Sequence, residues 1–143
     1  MVPTANRRDI FRQYFADAVN RGARAACPEE PEFFARAGYS EAFKREWQAF
    51  YGEPWQDPAS SVTARYKAER LKMALERQLL QACYEGARSV DPAITRFLLT
   101  HSPVNYTSWG ITFGHQDMLA TGLVDAMIAQ VWTGTARSAV RYE

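Results

Sequence analysis

At 143 residues, 47% of them hydrophobic and 23% charged, the chain is long enough to bury a core and too apolar to be disordered. A net charge of +1, from 17 Lys plus Arg against 16 Asp plus Glu, excludes a global field that draws the molecule to nucleic acid or membrane. Two cysteines are too few and too far apart for a disulfide framework or a zinc cluster, and no apolar run is long enough to span a bilayer.

Charge is uneven along the chain. Residues 1–24 hold five arginines against two aspartates, whereas residues 25–56 hold three basic against six acidic side chains. In the first segment Ile10, Phe11, Tyr14, Phe15, Ala18 and Val19 recur at three and four, predicting an amphipathic helix from Asn6 to about Arg21. Asn6 is a suitable cap and Gly22 a stop. Pro28 and Pro31 must interrupt any helix. A short helix is expected from Pro31 to Ala37, a sharp turn at Gly38, and a second helix capped by Ser40 and reaching about Tyr51.

Tyr51 to Ser61 reads as a connector rich in Gly, Pro and Ser, with Asp57-Pro58 opening the next helix. That helix is the clearest element. Val62, Tyr66, Leu71, Leu75, Leu79, Ala82 and Cys83 form one stripe, Arg65/Glu69 and Lys72/Glu76 pair at i, i+4, and an end is expected near Gly86. Asp91-Pro92 repeats the opening device and predicts a helix through Ile94, Phe97, Leu98 and Leu99. His101 to Gly114 is loop or short extended chain. The last predicted helix, from about Gln116 to Trp132, is apolar on nearly every side and is either a central core helix or half of a subunit interface. Within it Gly122 and Ala126 are small residues four apart that would allow close helix approach. The tail from 133 to 143 is polar and expected to fray.

These elements predict an all-α fold: one helical domain of five to six helices over residues 1–143. It comprises a helix-turn-helix-like part at 1–52 and a long-helix part, for the core or oligomerisation, at 57–143. With no apolar signal segment at the N-terminus, a cytoplasmic protein is expected.

Catalysis needs a nucleophile, a base and an orienting group. His101 and His115 are the only histidines; His115 beside Asp117 reads more simply as a helix start, and Cys83 lies on an apolar stripe. No metal-ligand spacing and no phosphate loop is present, so a non-enzymatic protein without metal or cofactor is expected. Phe43, Trp47, Phe50, Tyr51 and Trp55 could stack bases, but the first four step at helical spacing, as a core face does.

Ala35 to Gly52, ARAGYSEAFKREWQAFYG, has the small residue, turn glycine, capping serine and core tryptophan of a helix-turn-helix unit. Phe34 is larger than that pattern wants and Lys44 stands where it prefers an apolar residue. Further on, the long helix ends LERQLLQA and is followed by CYEGARSVDPAITRFLLTHSPVNYTSW, residues 83–109. Together with the AGYS turn at 37–40, this order over roughly residues 10–107 resembles phage terminase small subunits. The resemblance implies a ring-forming, non-catalytic DNA-packaging factor that recognises viral double-stranded DNA and passes it to an ATP-driven motor subunit. It also implies DNA contacts from Arg36, Ser40, Lys44, Arg45 and Gln48, with Arg7 and Arg8 as supporting phosphate contacts. Leu71, Leu75 and Leu79 would pack within and between subunits of a homo-oligomer. The alternative is a small helical protein that binds another protein, as an inhibitor, immunity factor or adaptor does; near-neutral charge and many aromatics suit it equally.

Overall fold

A single long helix organises the chain. In the computed structural model, which describes residues 1–101 and 109–129, helix α3 (Val62–Val90) runs for 29 residues, about 43 Å. Ser61 opens it, its hydroxyl accepting from the Ala64 N–H at 3.0 Å. Helix α1 (Ala5–Asn20) lies along α3, although none of its own residues is fully buried. Helix α2 (Glu41–Tyr51) is capped by Ser40, whose hydroxyl accepts from the Phe43 N–H at 3.2 Å. It buries Phe43 and Trp47 against Ala68, Leu71 and Leu75 of α3.

The other half of α3 backs a sheet. Strands β1 (Ala25–Ala26), β3 (Thr95–Thr100) and β5 (Ala126–Ala129) form a parallel sheet in the order β1-β3-β5. Ala25 registers on Thr95, and Phe97 on Ala126. A second, antiparallel pair joins β2 (Phe33–Phe34) to β4 (Ile111–Thr112). Parallel neighbours need long crossovers. Residues 27–94, with α2 and α3, supply the first, and residues 101–125, with helix α4 (His115–Ala120), supply the second. Leu80, Tyr84 and Ala87 of α3 pack on Ala26, Ile94 and Leu98 of the sheet side, with Met118 and Val124 closing the cluster.

The fold is therefore mixed α/β and not all-α: among the described residues there are four helices, with 51% in helix and 13% in strand. Four expectations fall with that correction. The helix expected over 31–37 is strand β2, so Gly38 links a strand to α2 and no helix-turn-helix corner exists at 1–52. The helix expected from Asp91 to Leu99 is β3: Thr95-Arg96-Phe97-Leu98-Leu99-Thr100 is a short run rich in β-forming residues, and periodicity cannot tell a buried helix from the central strand of a parallel sheet. The helix expected from Gln116 to Trp132 ends at Ala120; within that range residues 130–132 lie outside the described ones. There Gly122 takes φ 65°, its N–H bonds to the Leu119 carbonyl and that of Leu123 to Met118, a helix stop of the Schellman kind. Ala126 then sits on β5, so Gly122 and Ala126 are not a small pair on one helix.

Within α3 the pairing also differs. Lys72 meets Glu69 at 3.0 Å, one turn back, and not Glu76. Gly86 does not end the helix; its bare Cα lies against the Arg12 backbone of α1. Val62 and Tyr66 are exposed, leaving the buried stripe to begin at Ala64. Of the stretch 101–114, Ile111–Thr112 is strand, 102–108 lie outside the described residues, and so does the tail from 133 to 143.

Candidate functional site at the carboxyl ends of the parallel strands

Open parallel sheets hold ligands beyond the carboxyl ends of their strands. Here β1 runs out into Cys27-Pro28-Glu29-Glu30-Pro31-Glu32, and β3 runs out into His101. The two exits stay together. The Leu99 N–H donates to the Pro28 carbonyl at 3.2 Å, and the Glu30 N–H donates to the Leu99 carbonyl at 2.9 Å. Pro31 has no N–H to continue the ladder, and the chain turns away there. Glu30 takes φ 45°, the one non-glycine residue with positive φ among the described residues. An L side chain held there is strained, and such strain concentrates at functional sites.

His101 stands between two carboxylates. Its Nε2 lies 3.4 Å from Glu30 Oε2, and its Nδ1 lies 3.4 Å from Glu32 Oε1. Glu32 Oε1 also accepts from the His101 backbone N–H at 3.0 Å, tying the two strand exits together. Exposure divides the roles: the Glu32 side chain is 0% exposed, His101 7% and Glu30 32%. Glu30 is the member that solvent or a ligand can reach.

Two surfaces flank it. The β2–β4 pair sets Phe34 beside Trp109, with ring centroids 6.3 Å apart, and His101 stands edge-on to both at 5.9 and 5.4 Å. Both outer rings are 47% exposed. Gly110 permits the approach, since a side chain there would strike Ala35 and its φ is 58°. On the other flank Glu30 and Glu32 line a cavity of about 370 Å³ with Arg7, Phe11, Tyr14 and Leu79. Cys27 and Cys83 also border it; burial pushes the Cys83 thiol up to about 12, which leaves it a poor nucleophile.

Behind Glu32 lies a buried charged layer. Glu76 and Lys72 are both 0% exposed, and Glu76 Oε1 accepts from the Phe33 N–H at 2.8 Å. Burial pushes the Glu76 carboxyl well above its ordinary 4.5; the Phe33 hydrogen bond opposes this, Glu32 and Glu69 add to it, and Lys72 offsets part. A folded value above the unfolded one means the group costs nothing below about pH 4.5 and subtracts stability as pH rises towards the folded value. Glu76→Gln, which keeps the acceptor for Phe33, should therefore gain on the natural protein as pH climbs from about 4.5 towards the raised folded value, at up to about 1.4 kcal/mol per pH unit. Paired urea titrations across that range give the difference; two parallel curves would mean that Glu76 ionises as freely in the fold as outside it.

The residues expected to touch DNA are only partly gathered. Arg7, Arg36 and Ser40 border one hollow of about 520 Å³. Arg45 and Gln48 are exposed on α2, outside that hollow. Lys44 is engaged, paired with Glu41 at 2.8 Å and seated over the Trp55 ring, while Arg8 donates to the Pro3 carbonyl at 2.6 Å. Leu71 and Leu75 are each 1% exposed inside the core, and Leu79 is half-buried.

Sequence reasoning missed Glu30 and Glu32 and considered His101 alone. Carboxylates two apart after a short extended stretch were a usable signal, but only once residues 95–100 are read as the neighbouring strand. Among the described residues no cluster of three His, Cys, Asp or Glu side chains is arranged to hold a metal ion, and no helix is long and apolar enough to cross a membrane. Comparison with known protein families, with curated proteins and with solved structures finds no match.

Proposed function

We propose that the carboxyl end of the sheet is an acid–base catalytic site for a neutral, hydroxyl-bearing ring substrate such as a sugar. The observation that carries this reading is the line Glu30–His101–Glu32, with a buried carboxylate 3.4 Å from one imidazole nitrogen and a reachable carboxylate 3.4 Å from the other. A carboxyl group positioned against a leaving oxygen is the usual proton donor in glycosidic bond cleavage. The half-exposed Phe34 and Trp109 beside it, their rings tilted 36° to each other, offer apolar surface for the C–H face of a ring. The location is the one that parallel α/β enzymes use. This departs from the non-catalytic protein expected from sequence. The test is hydrolysis of a panel of nitrophenyl glycosides, followed by calorimetric titration with the matching free sugars. Turnover of at least one glycoside is expected; neither turnover nor binding across the panel would remove the reading.

A second reading, the DNA-binding or DNA-packaging adaptor, draws on one observation: Arg7, Arg36 and Ser40 share a hollow, with Arg45 exposed on α2 outside it. Guanidiniums beside a helix N-terminus suit phosphate oxygens. Under this reading duplex DNA binds at low salt and affinity falls steeply as salt rises. Replacing Arg36 and Arg45 with Ala should lower the salt slope by about one per lost phosphate contact. An unchanged slope would take these residues out of any DNA site.

A further inference from the structure

A second surface, on the exposed side of α3, answers to neither reading. Arg70, Arg77, Gln81 and Arg88 recur at seven, four and seven residues and so share one face of that helix. Arg70 and Arg77 border a hollow of about 170 Å³ floored by Met73 and Met118 beside Phe50. Arg77 and Arg88 border a broader one of about 530 Å³ that reaches Tyr84 and Leu123. Arg77 borders both hollows, which follow one another along α3 as the two parts of a trough.

The charges around the trough are unequally matched. Arg96 is held by Asp125 at 2.6 Å, and Glu85 is engaged by Arg12 at 3.3 Å and by Gln81 at 2.8 Å. Arg70, Arg77 and Arg88 are exposed and have no ion pair among the described residues, and Asp117 borders the first hollow with Arg70 and Arg77. The apolar floor decides between partners. Arginine, methionine and aromatic residues together, without lysine, are the composition of a protein–protein contact. A surface for a phosphate backbone would be basic throughout and would have no use for a half-buried Met73 and a Phe50 that is 49% exposed.

We propose that this trough docks an acidic amphipathic helix of a partner protein, its apolar stripe on Met73 and Phe50 and its carboxylates on Arg70, Arg77 and Arg88. The arginines lie about 10 and 16 Å apart along α3, so glutamates seven and eleven residues apart on one face of the incoming helix match them. Arginine forks bind carboxylates in bidentate geometry, which gives the contact its register.

The test uses a synthetic helical peptide with glutamates at that spacing and leucines along the neighbouring stripe, its binding followed by fluorescence anisotropy. The expected dissociation constant is on the order of micromolar. Arg77→Glu should weaken binding about tenfold or more, and a peptide carrying arginine in place of the central glutamate should recover the loss with that variant. Arg88→Glu should act likewise, and neither substitution should move the melting temperature, since both side chains are exposed. Equal binding of a peptide with lysine for every glutamate would overturn the proposal. So would failure of the charge swap to restore binding, or tighter binding of a single-stranded oligonucleotide at the same arginines.

Discussion

Glu30→Gln is expected to lower turnover by roughly 10²- to 10⁴-fold while leaving the fold and ring binding in place. Glutamine preserves the size of the side chain and one oxygen but cannot give or take the catalytic proton. Glu30 is 32% exposed, so the change removes no buried packing, and Glu32 still accepts from the His101 backbone N–H at 3.0 Å. The loss should fall on kcat with KM nearly unchanged, the signature of a contact made in the transition state alone. Glu32→Gln makes the contrast. That side chain is 0% exposed and accepts from the His101 backbone, so its replacement should unsettle the junction of the two strand exits and lower the melting temperature along with activity. A Glu30→Gln protein that turns over at the natural rate would move the proton transfer to another group.

The positive φ of Glu30 bears on the same point. The bond from the Glu30 N–H to the Leu99 carbonyl holds the residue against β3 in a conformation that L side chains resist. A glycine would relax the strain but would remove the carboxylate. That the strained position carries the reachable acid is the kind of conflict between local preference and fold that marks functional sites.

How much of this was legible in the sequence differs from element to element. Helices α1, α2 and α3 were, because each is long enough for its period to show, and Ser40 announced its own cap. Phe43 and Trp47 were rightly placed in the core by their spacing. The strands were not. β1 and β2 are two residues each, too short to express an alternation, and β3 and β5 are short apolar runs whose pattern a buried helix would share. The Gly122 stop after α4 was readable as a helix end, yet the apolar residues on both sides of it masked the break. The candidate site was hidden for the same reason. Glu30 and His101 are neighbours only because β1 and β3 pair, and that pairing is a long-range fact that no local pattern contains. Gly86 was misread in the opposite sense: taken as a helix end, it is instead a point of contact between helices.

That contact sets the second large expected effect. Gly86→Ala should destabilise the protein by about 3 kcal/mol, at the upper end of what overpacking costs. The added methyl would land on the carbonyl of Arg12, and backbone cannot rotate aside as a side chain can. To relieve the overlap, α1 must move off α3, pulling the partly buried Phe15 and Val19 away from the core, and the exposed Arg12–Glu85 pair at 3.3 Å is worth too little to prevent it. Hydrogen exchange should show the α1 amides losing protection while the buried centre of α3 keeps its own. The consequence reaches one flank of the site, because Phe11 and Tyr14 of α1 line the cavity that Glu30 opens onto, so turnover should fall while the Phe34 and Trp109 surface on the opposite flank keeps its ring binding. Gly22→Ala is the control. That glycine has φ 102° with nothing within 4 Å of a new methyl, so it carries only the backbone strain of about 1–2 kcal/mol. If Gly86→Ala proves no worse than Gly22→Ala, the two helices do not meet at Arg12, and the wall they give the cavity must be drawn elsewhere.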